Sequence, residues 1–438
     1  MSPAKCHLDF LPRAPFIDFE NRGSVKQHGL LWNIRRMSFS ALLKRIDPWV
    51  KLSQFTYKIP THGNSFFYAT GGVAFVGFVL MIVTGMILTQ LYDPAPTAAY
   101  ESLKKIEQIG WASFFRAIHY WVAQGIIVLL LLHIARIFIT GAYQNPRQVT
   151  WWIGVALFGT MLMGSYFSGT ILKWDEEGAD ALAHYKVALQ YLGPIGALMT
   201  ESLPGSNNMN LRIFASHIAV FPILIIFLAI IHLYLIHTFN LSPRPKDPWA
   251  DLPQVPEDQM SARFNEHAVC IFIYSALYYG ALIAMAFYFR ATLAAAPSAD
   301  HAALKPPWPF LWMYGFENIW GVVAVLFCSL ALFGFLALVP LLDRKQDRRY
   351  VARKPILIMG GIVAFTLIAL SIHGYITPAQ THDGHSHGEE SVPGSPENHP
   401  HSEKEEDHSH QEILDEPNPK SETKPDHAHP EGTKDHHN

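Results

Sequence analysis

The chain has 438 residues; half are hydrophobic, 16% are charged, and the formal net charge is −3 at pH 7. A near-neutral balance argues against nucleic acid as a partner, and the apolar content is that of a membrane protein once a very polar C-terminal tail is set aside. Three scattered cysteines, Cys6, Cys270 and Cys328, supply neither a Cys-x-x-Cys-His haem attachment site nor an iron–sulfur spacing.

Residues 1–59 form an N-terminal arm of mixed basic and apolar character without a signal-peptide pattern. Its stretch 30–50 reads as an amphipathic helix on a membrane surface. Seven apolar runs follow, at 66–92, 114–140, 151–172, 211–239, 268–289, 319–342 and 355–376. Each is long enough to cross a hydrocarbon core of about 30 Å. They predict an all-α integral membrane fold: a four-helix bundle over 60–240, then three further transmembrane helices over 241–380. The connection between the sixth and seventh runs carries Arg344, Lys345, Arg348, Arg349, Arg353 and Lys354. Basic loops stay cytoplasmic. Parity puts Arg147, and the later group Arg244, Lys246 and Arg263, on the same side. The expected N-terminus is cytoplasmic and the C-terminal tail periplasmic, in a bacterial inner membrane.

The second run holds His119 and His133, fourteen residues apart; the fourth holds His217 and His232, fifteen apart. At about 100° and 1.5 Å per residue, fourteen residues return a helix to nearly the same face roughly 21 Å further along. Fifteen residues repeat the arrangement with a modest rotation. The second and fourth runs point the same way, so each histidine meets a partner at its own depth. His119 and His217 lie toward the outer face, His133 and His232 toward the cytoplasm. Ionisable residues in membrane helices are costly and point to function, and neutral imidazole is a good axial ligand for haem iron. Two non-covalent b-type haems stacked across the bilayer follow; the alternative is four separate polar residues packed between helices.

Glycines accompany the histidines. Gly71 and Gly85 are fourteen apart on the first run; Gly154 and Gly169 bracket the third, one residue further apart. A missing side chain lets a macrocycle edge or another helix approach the backbone. Arg116 and Arg136, each three residues from a histidine, could pair with haem propionates or snorkel to the interface. The tail, 381–438, is rich in His, Glu, Asp, Pro and Ser. Such a segment cannot bury enough surface to fold; its histidine clusters could hold a metal loosely.

The motifs Arg116-Ala-Ile-His119, Leu132-His133-Ile-Ala-Arg136, Gly141-Ala-Tyr-Gln-Asn-Pro146-Arg147, Gly169-Thr-Ile-Leu-Lys-Trp174-Asp175 and Arg212…His217…Pro222…His232 occur in that order. Over about 60–377 the chain resembles cytochrome b of the quinol-oxidising bc and bf complexes. The fifteen-residue spacing and the stop after seven helices are similar to the chloroplast-type branch, as if its cytochrome and subunit IV were fused. The resemblance implies two b haems, an outer quinol-oxidising site and an inner quinone-reducing site. It also implies a Rieske iron–sulfur partner, a c-type cytochrome, membrane lipid and a homodimeric complex.

Two departures stand out. Where the family has Pro-Glu-Trp-Tyr before the sixth helix, this chain has Pro306-Pro307-Trp308-Pro309. The usual carboxylate is absent, because proline exchanges no proton. Trp308 remains, and Glu317 is the first candidate to replace the acid; Asp300, His301, Asp175 and Glu176 are others. The chloroplast-type branch attaches an extra haem through a cysteine where this chain has Ala69, so no covalent haem is expected. Instead His237, five residues after His232, and Glu266, at the start of the fifth run, suit proton delivery to a quinone on the inner side. The function expected is that of the cytochrome b subunit of a quinol:cytochrome c oxidoreductase. One alternative is a di-haem electron wire without bifurcation, kept open by Pro307. Another is a metal-handling membrane protein, suggested by the tail.

Overall fold

The computed structural model describes residues 57–60, 62–199, 208–245, 264–297, 304–344 and 347–378. The arm with its expected surface helix, and the tail, lie outside the described residues, as do Asp300 and His301. Among the described residues, seven helices are long and apolar enough to cross a membrane. They are α1 (Phe66–Thr89), α3 (Gly110–Thr140), α4 (Gln148–Ile171), α7 (Met209–Phe239), α8 (Phe264–Tyr288), α10 (Val323–Leu342) and α11 (Lys354–Ile376). Among the described residues, four shorter α-helices join them: α2 (Ala99–Gln108), α5 (Glu176–Gln190), α6 (Pro194–Met199) and α9 (Leu311–Trp320).

The spanning helices are apolar all round, as a lipid-embedded helix must be, so small residues set who packs with whom. Ala69 and Ala74 of α1 meet Ala117, Val122 and Ile126 of α3, with Tyr274, Tyr279 and Ala286 of α8 closing the cluster. A second core joins Ile127 of α3 and Phe158 and Leu162 of α4 to Phe310, Trp312 and Met313. Gly315 of α9 and Gly374 of α11 touch backbone to backbone; an added Cβ at Gly315 would sit 2.0 Å from the Leu370 carbonyl oxygen.

The sequence predicts one helix over 319–342. The structure divides it: Ile319 and Trp320 end α9, and α10 starts at Val323. Gly321 has φ 81°, a left-handed conformation that glycine adopts without strain, and its N–H donates to the Glu317 carbonyl at 2.6 Å. The second span starts at Gly110, four residues earlier than its apolar pattern suggests.

Two π-helical turns interrupt the spans, Thr160–Tyr166 in α4 and Ser216–Val220 in α7. A π turn absorbs one extra residue without turning the rest of the helix. This accounts for the two fifteen-residue spacings, Gly154 to Gly169 and His217 to His232. Each crosses or starts in a π turn, so each acts in register as fourteen.

Several basic residues read from the sequence as loop charge are structural. Arg353 is 1% exposed. It donates to the Phe138 and Ile139 carbonyls, to Tyr143 Oη and to Asp343 Oδ2, all at 2.8 Å. Arg348 donates to the Thr140 and Pro243 carbonyls at 3.1 and 2.7 Å. Arg147 donates to the Phe239 carbonyl at 2.6 Å. The last carbonyls of a helix lack intrahelical donors and carry partial negative charge. Three arginines therefore cap the ends of α3 and α7, the two histidine helices.

Candidate functional site: two imidazole pairs and their flanks

His119 and His217 face each other across the bundle, ring centroids 6.4 Å apart at 61°. Two metal–nitrogen bonds of about 2 Å each plus the ring radii give a separation of this order. His133 and His232 form the other pair, close enough to act on each other electrostatically. Both rings in each pair sit against glycine. A Cβ on Gly85 would meet His119 Cε1 at 3.4 Å, and one on Gly169 would meet His217 Cε1 at 3.1 Å. One on Gly71 would meet His133 Cε1 at 2.8 Å, and one on Gly154 would meet His232 Cε1 at 3.4 Å. All four glycines thus seat the imidazole itself.

Hydroxyls next to three of these glycines fix the rings. Thr84 Oγ1 is 2.9 Å from His119 Nδ1 and donates its proton to the Leu80 carbonyl, so it accepts from Nδ1–H. Ser168 does the same for His217 at 2.9 Å, its proton going to the Gly164 carbonyl. Thr70 does so for His133 at 3.2 Å, its proton going to the Phe67 carbonyl. An Nδ1–H donated in this way leaves Nε2 unprotonated as the ligating atom. Sequence reasoning missed these residues, although the signal is visible: each immediately precedes its glycine, in Thr70-Gly71, Thr84-Gly85 and Ser168-Gly169. Gly154 follows Ile153, so His232 has no hydroxyl of this kind.

The structure separates the two arginines. Arg116 Nε is 2.7 Å from Glu107, a carboxylate partner within the chain. Arg136 lies over the Tyr68 ring at 4.5 Å, and its Nε is buried without an acceptor among the described residues. A half-buried guanidinium whose Nε lacks an acceptor among the described residues, three residues from a ligand, suits a carboxylate of a bound group. The chain therefore fits a haem at its histidine pairs: seats free of side chains, Nε2 left free for ligation on three of the four rings, and a guanidinium whose Nε lacks an acceptor among the described residues.

On the α5 and α9 side, the Trp308 indole donates to Gln124 Oε1, which also accepts from Tyr166 Oη at 3.0 Å. Gln124 is five residues beyond His119, so the proline-rich run touches the helix that carries one ligand of each pair. Glu317 is buried and faces His184 of α5. Burial lowers the His184 pKa, but the hydrogen bond and charge of Glu317, with Asp180, lift it on balance to about 9. The contribution of this pair to stability is full below the unfolded value of 6.5 and fades as pH rises through about 9. Sequence reasoning did not nominate His184; its signal was Asp180 four residues earlier on the same helical face. Asp175, a sequence candidate, is a buried helix cap: it accepts from the Gly178 and Ala294 N–H groups, both at 2.9 Å.

On the opposite side His237 is exposed and Glu266 half-buried. No hydrogen bond or ion pair joins them among the described residues. The neighbouring His267 is buried, its Nδ1 3.2 Å from Asn64 Oδ1. His62 lies nearby in a basic surround; burial, then Arg244, Arg136 and Arg348, push its pKa down to about 4.

Two stacked bis-histidine seats in an apolar bundle define a transmembrane electron-transfer protein that holds b-type haem. The profile of the cytochrome b N-terminal/b6/petB family matches residues 124–310. The menaquinol:cytochrome c reductase cytochrome b subunit of Geobacillus thermodenitrificans is 32% identical over 202 residues, 42% of this chain and 88% of that protein. Cytochrome b6 of Prochlorothrix hollandica is 29% identical over 189 residues, 42% of this chain and 84% of that protein. A solved chain described as hyperthermophilic respiratory Complex III shares the fold, with a TM-score of 0.62 at 24% identity; it covers 77% of this chain and 92% of that one. This chain belongs to the cytochrome b family.

Proposed function

We propose that this cytochrome b is the membrane subunit of a quinol:cytochrome c oxidoreductase and holds two non-covalent b haems, one at each imidazole pair. The observation that carries this is the pairing itself: four histidines, four glycine seats and two π turns that hold them in register. A b-type haem between two imidazoles supplies one-electron transfer. The chain orients the ligands, excludes water and spaces the two seats across the membrane. Quinol is oxidised on the outer side, beside Trp308 and the α4–α7 connection. Quinone is reduced on the inner side, near His237 and Glu266. Glu317 replaces the missing family glutamate as proton acceptor. A Rieske iron–sulfur partner with its c-type cytochrome, and haems held at the two histidine pairs, would supply the acceptors for the two quinol electrons. Residues 60–240 form the haem-binding part and 241–380 the subunit IV-like part. The cytoplasmic side is the one with the arginine caps, in a bacterial inner membrane. The exposed apolar faces of α7 and α11 meet lipid and a second copy of the complex.

The native complex, purified with its partners, should give two extractable b haems per chain by pyridine haemochrome analysis and should reduce cytochrome c with quinol. Haem retained on this polypeptide after acid-acetone extraction would overturn the conclusion drawn from Ala69. Haem reduction by quinol without any Rieske-dependent cytochrome c reduction would favour the electron wire that Pro307 suggests.

The hydroxyl pattern predicts an asymmetry. Hydrogen bonding from Nδ1–H makes an imidazole a stronger donor and favours oxidised iron. Both outer ligands have a hydroxyl acceptor at Nδ1 and only one inner ligand does. Thr84→Val should raise the midpoint potential of the outer haem and leave the inner one nearly unmoved. Redox titration followed in the visible spectrum checks this; equal shifts in both would refute it.

A further inference from the structure

A polar chain on the α5 and α9 side is left unexplained by haem binding. The Glu317 side chain is 6% exposed, and its carboxylate oxygens lie 3.0 and 3.2 Å from His184 Nε2. The other ring nitrogen, Nδ1, donates to the Asp180 carbonyl at 2.9 Å, with the Asp180 carboxylate 3.6 Å away. Side-chain exposure rises steadily along the series, from 6% at Glu317 to 22% at His184 and 38% at Asp180. An imidazole can give a proton from one nitrogen and take one at the other, and turning over between transfers resets it. The helix that carries His184 adjoins the aromatic wall of the proposed quinol site. Tyr185, next to His184, packs on Phe167 at 6.2 Å, and Phe167 on Phe310 at 5.5 Å, two residues beyond Trp308.

We propose that Glu317, His184 and Asp180 form the proton exit of the outer quinol site. This rests on the outer site proposed above and adds a route and two residues to it. The quinol O–H bond breaks and its proton bonds to the Glu317 carboxylate, while the electrons go to the iron–sulfur and haem acceptors. Once Glu317 is protonated the ion pair weakens, so the His184 imidazolium releases its Nδ1 proton to the Asp180 carboxylate, and Asp180 passes it to water. The ring then turns over, takes the Glu317 proton on the bare nitrogen, and the imidazolium–carboxylate pair is restored. Among the described residues, charged and titratable groups around the relay include Asp180 and Tyr185 on α5, Glu317 on α9, and Cys328 on α10, which lies in the field of Glu317. Arg212 acts on Tyr185 from α7.

The test uses the purified native complex and follows quinol-driven cytochrome c reduction. H184A should keep both haem spectra and lose turnover by on the order of 100-fold. Added imidazole, which carries protons but repairs no packing, should restore much of the rate. D180N should lose about tenfold and respond to imidazole in the same way. Wild-type turnover in H184A would overturn the proposal, and so would a slow H184A that imidazole does not help. If H184A loses its haems, D180N, altered at a more exposed position, decides the matter alone; unimpaired turnover there refutes the relay. A wild-type complex whose haems are reduced by dithionite but which oxidises no quinol would sink the outer site itself and the relay with it. A slow E317Q beside a fast H184A would spare the outer site and reject only the exit.

Discussion

Replacing His217 by leucine should remove one b haem per chain and leave the other. His217 sits in the π turn of α7, its ring on Gly169 and its Nδ1 held by Ser168. Leucine fills a similar volume but offers no lone pair, so the opposite imidazole, His119, would be a lone ligand. The second pair lies roughly 21 Å away along the helix, on seats formed by Gly71 and Gly154, and shares no contact with the change. Haem content should fall from two to one, and turnover with quinol should become undetectable, because the staged path across the membrane is cut. The surviving haem should be the one that His232→Leu removes. Loss of both haems in either variant would mean that the seats fold as a unit, and retention of both would refute the ligand assignment.

Arg353→Ala should be the most destabilising change outside the histidine seats. Its guanidinium is fully buried and reaches Asp343, Tyr143 and two carbonyls at the end of α3. Tyr143 and Gln144 also donate to Asp343, at 2.7 and 2.9 Å. Removing the arginine leaves a buried carboxylate without its cation and takes one donor each from the Phe138 and Ile139 carbonyls. Breaking a buried pair from one side costs about 3–5 kcal/mol, a large part of a typical folding free energy. Thermal loss of the haem absorbance bands should shift to markedly lower temperature. Arg353→Met combined with Asp343→Asn should recover part of the loss, since no charge is then stranded. If the single and double variants melt together, the network is not held by charge.

Much of this was legible in the sequence. The seven spans follow from apolar length, because a lipid environment leaves the backbone few choices. The histidine pairs follow from spacing, since depth and face are both periodic in the helix. What periodicity could not show was anything set by contacts between distant segments. Glu317 was singled out, but its partner His184 lies 133 residues away, and only the packing of α5 on α9 joins them. The break at Gly321 was hidden inside a continuous apolar run, where one glycine reads as a packing residue until its backbone angle is known. Arginines of the basic loops looked like surface charge because composition cannot tell a cap from a solvated side chain. The fifteen-residue spacings were visible as numbers, but not the π turns that absorb them.

Those turns bear on how such a bundle tolerates change over time. In a straight membrane helix, one inserted residue swings everything beyond it through about 100°. A ligand would then face lipid and its cofactor would be lost. Here two facing helices each carry an extra residue and confine it to a single turn. The bundle works like a vernier with slack at one mark: lengths can drift by a residue while the gap that electrons must cross stays constant. Deleting Ala219 should therefore be survivable, with the π turn relaxing to an ordinary one and both haems kept. Adding a residue after Ile225, where no such slack exists, should cost the inner haem alone.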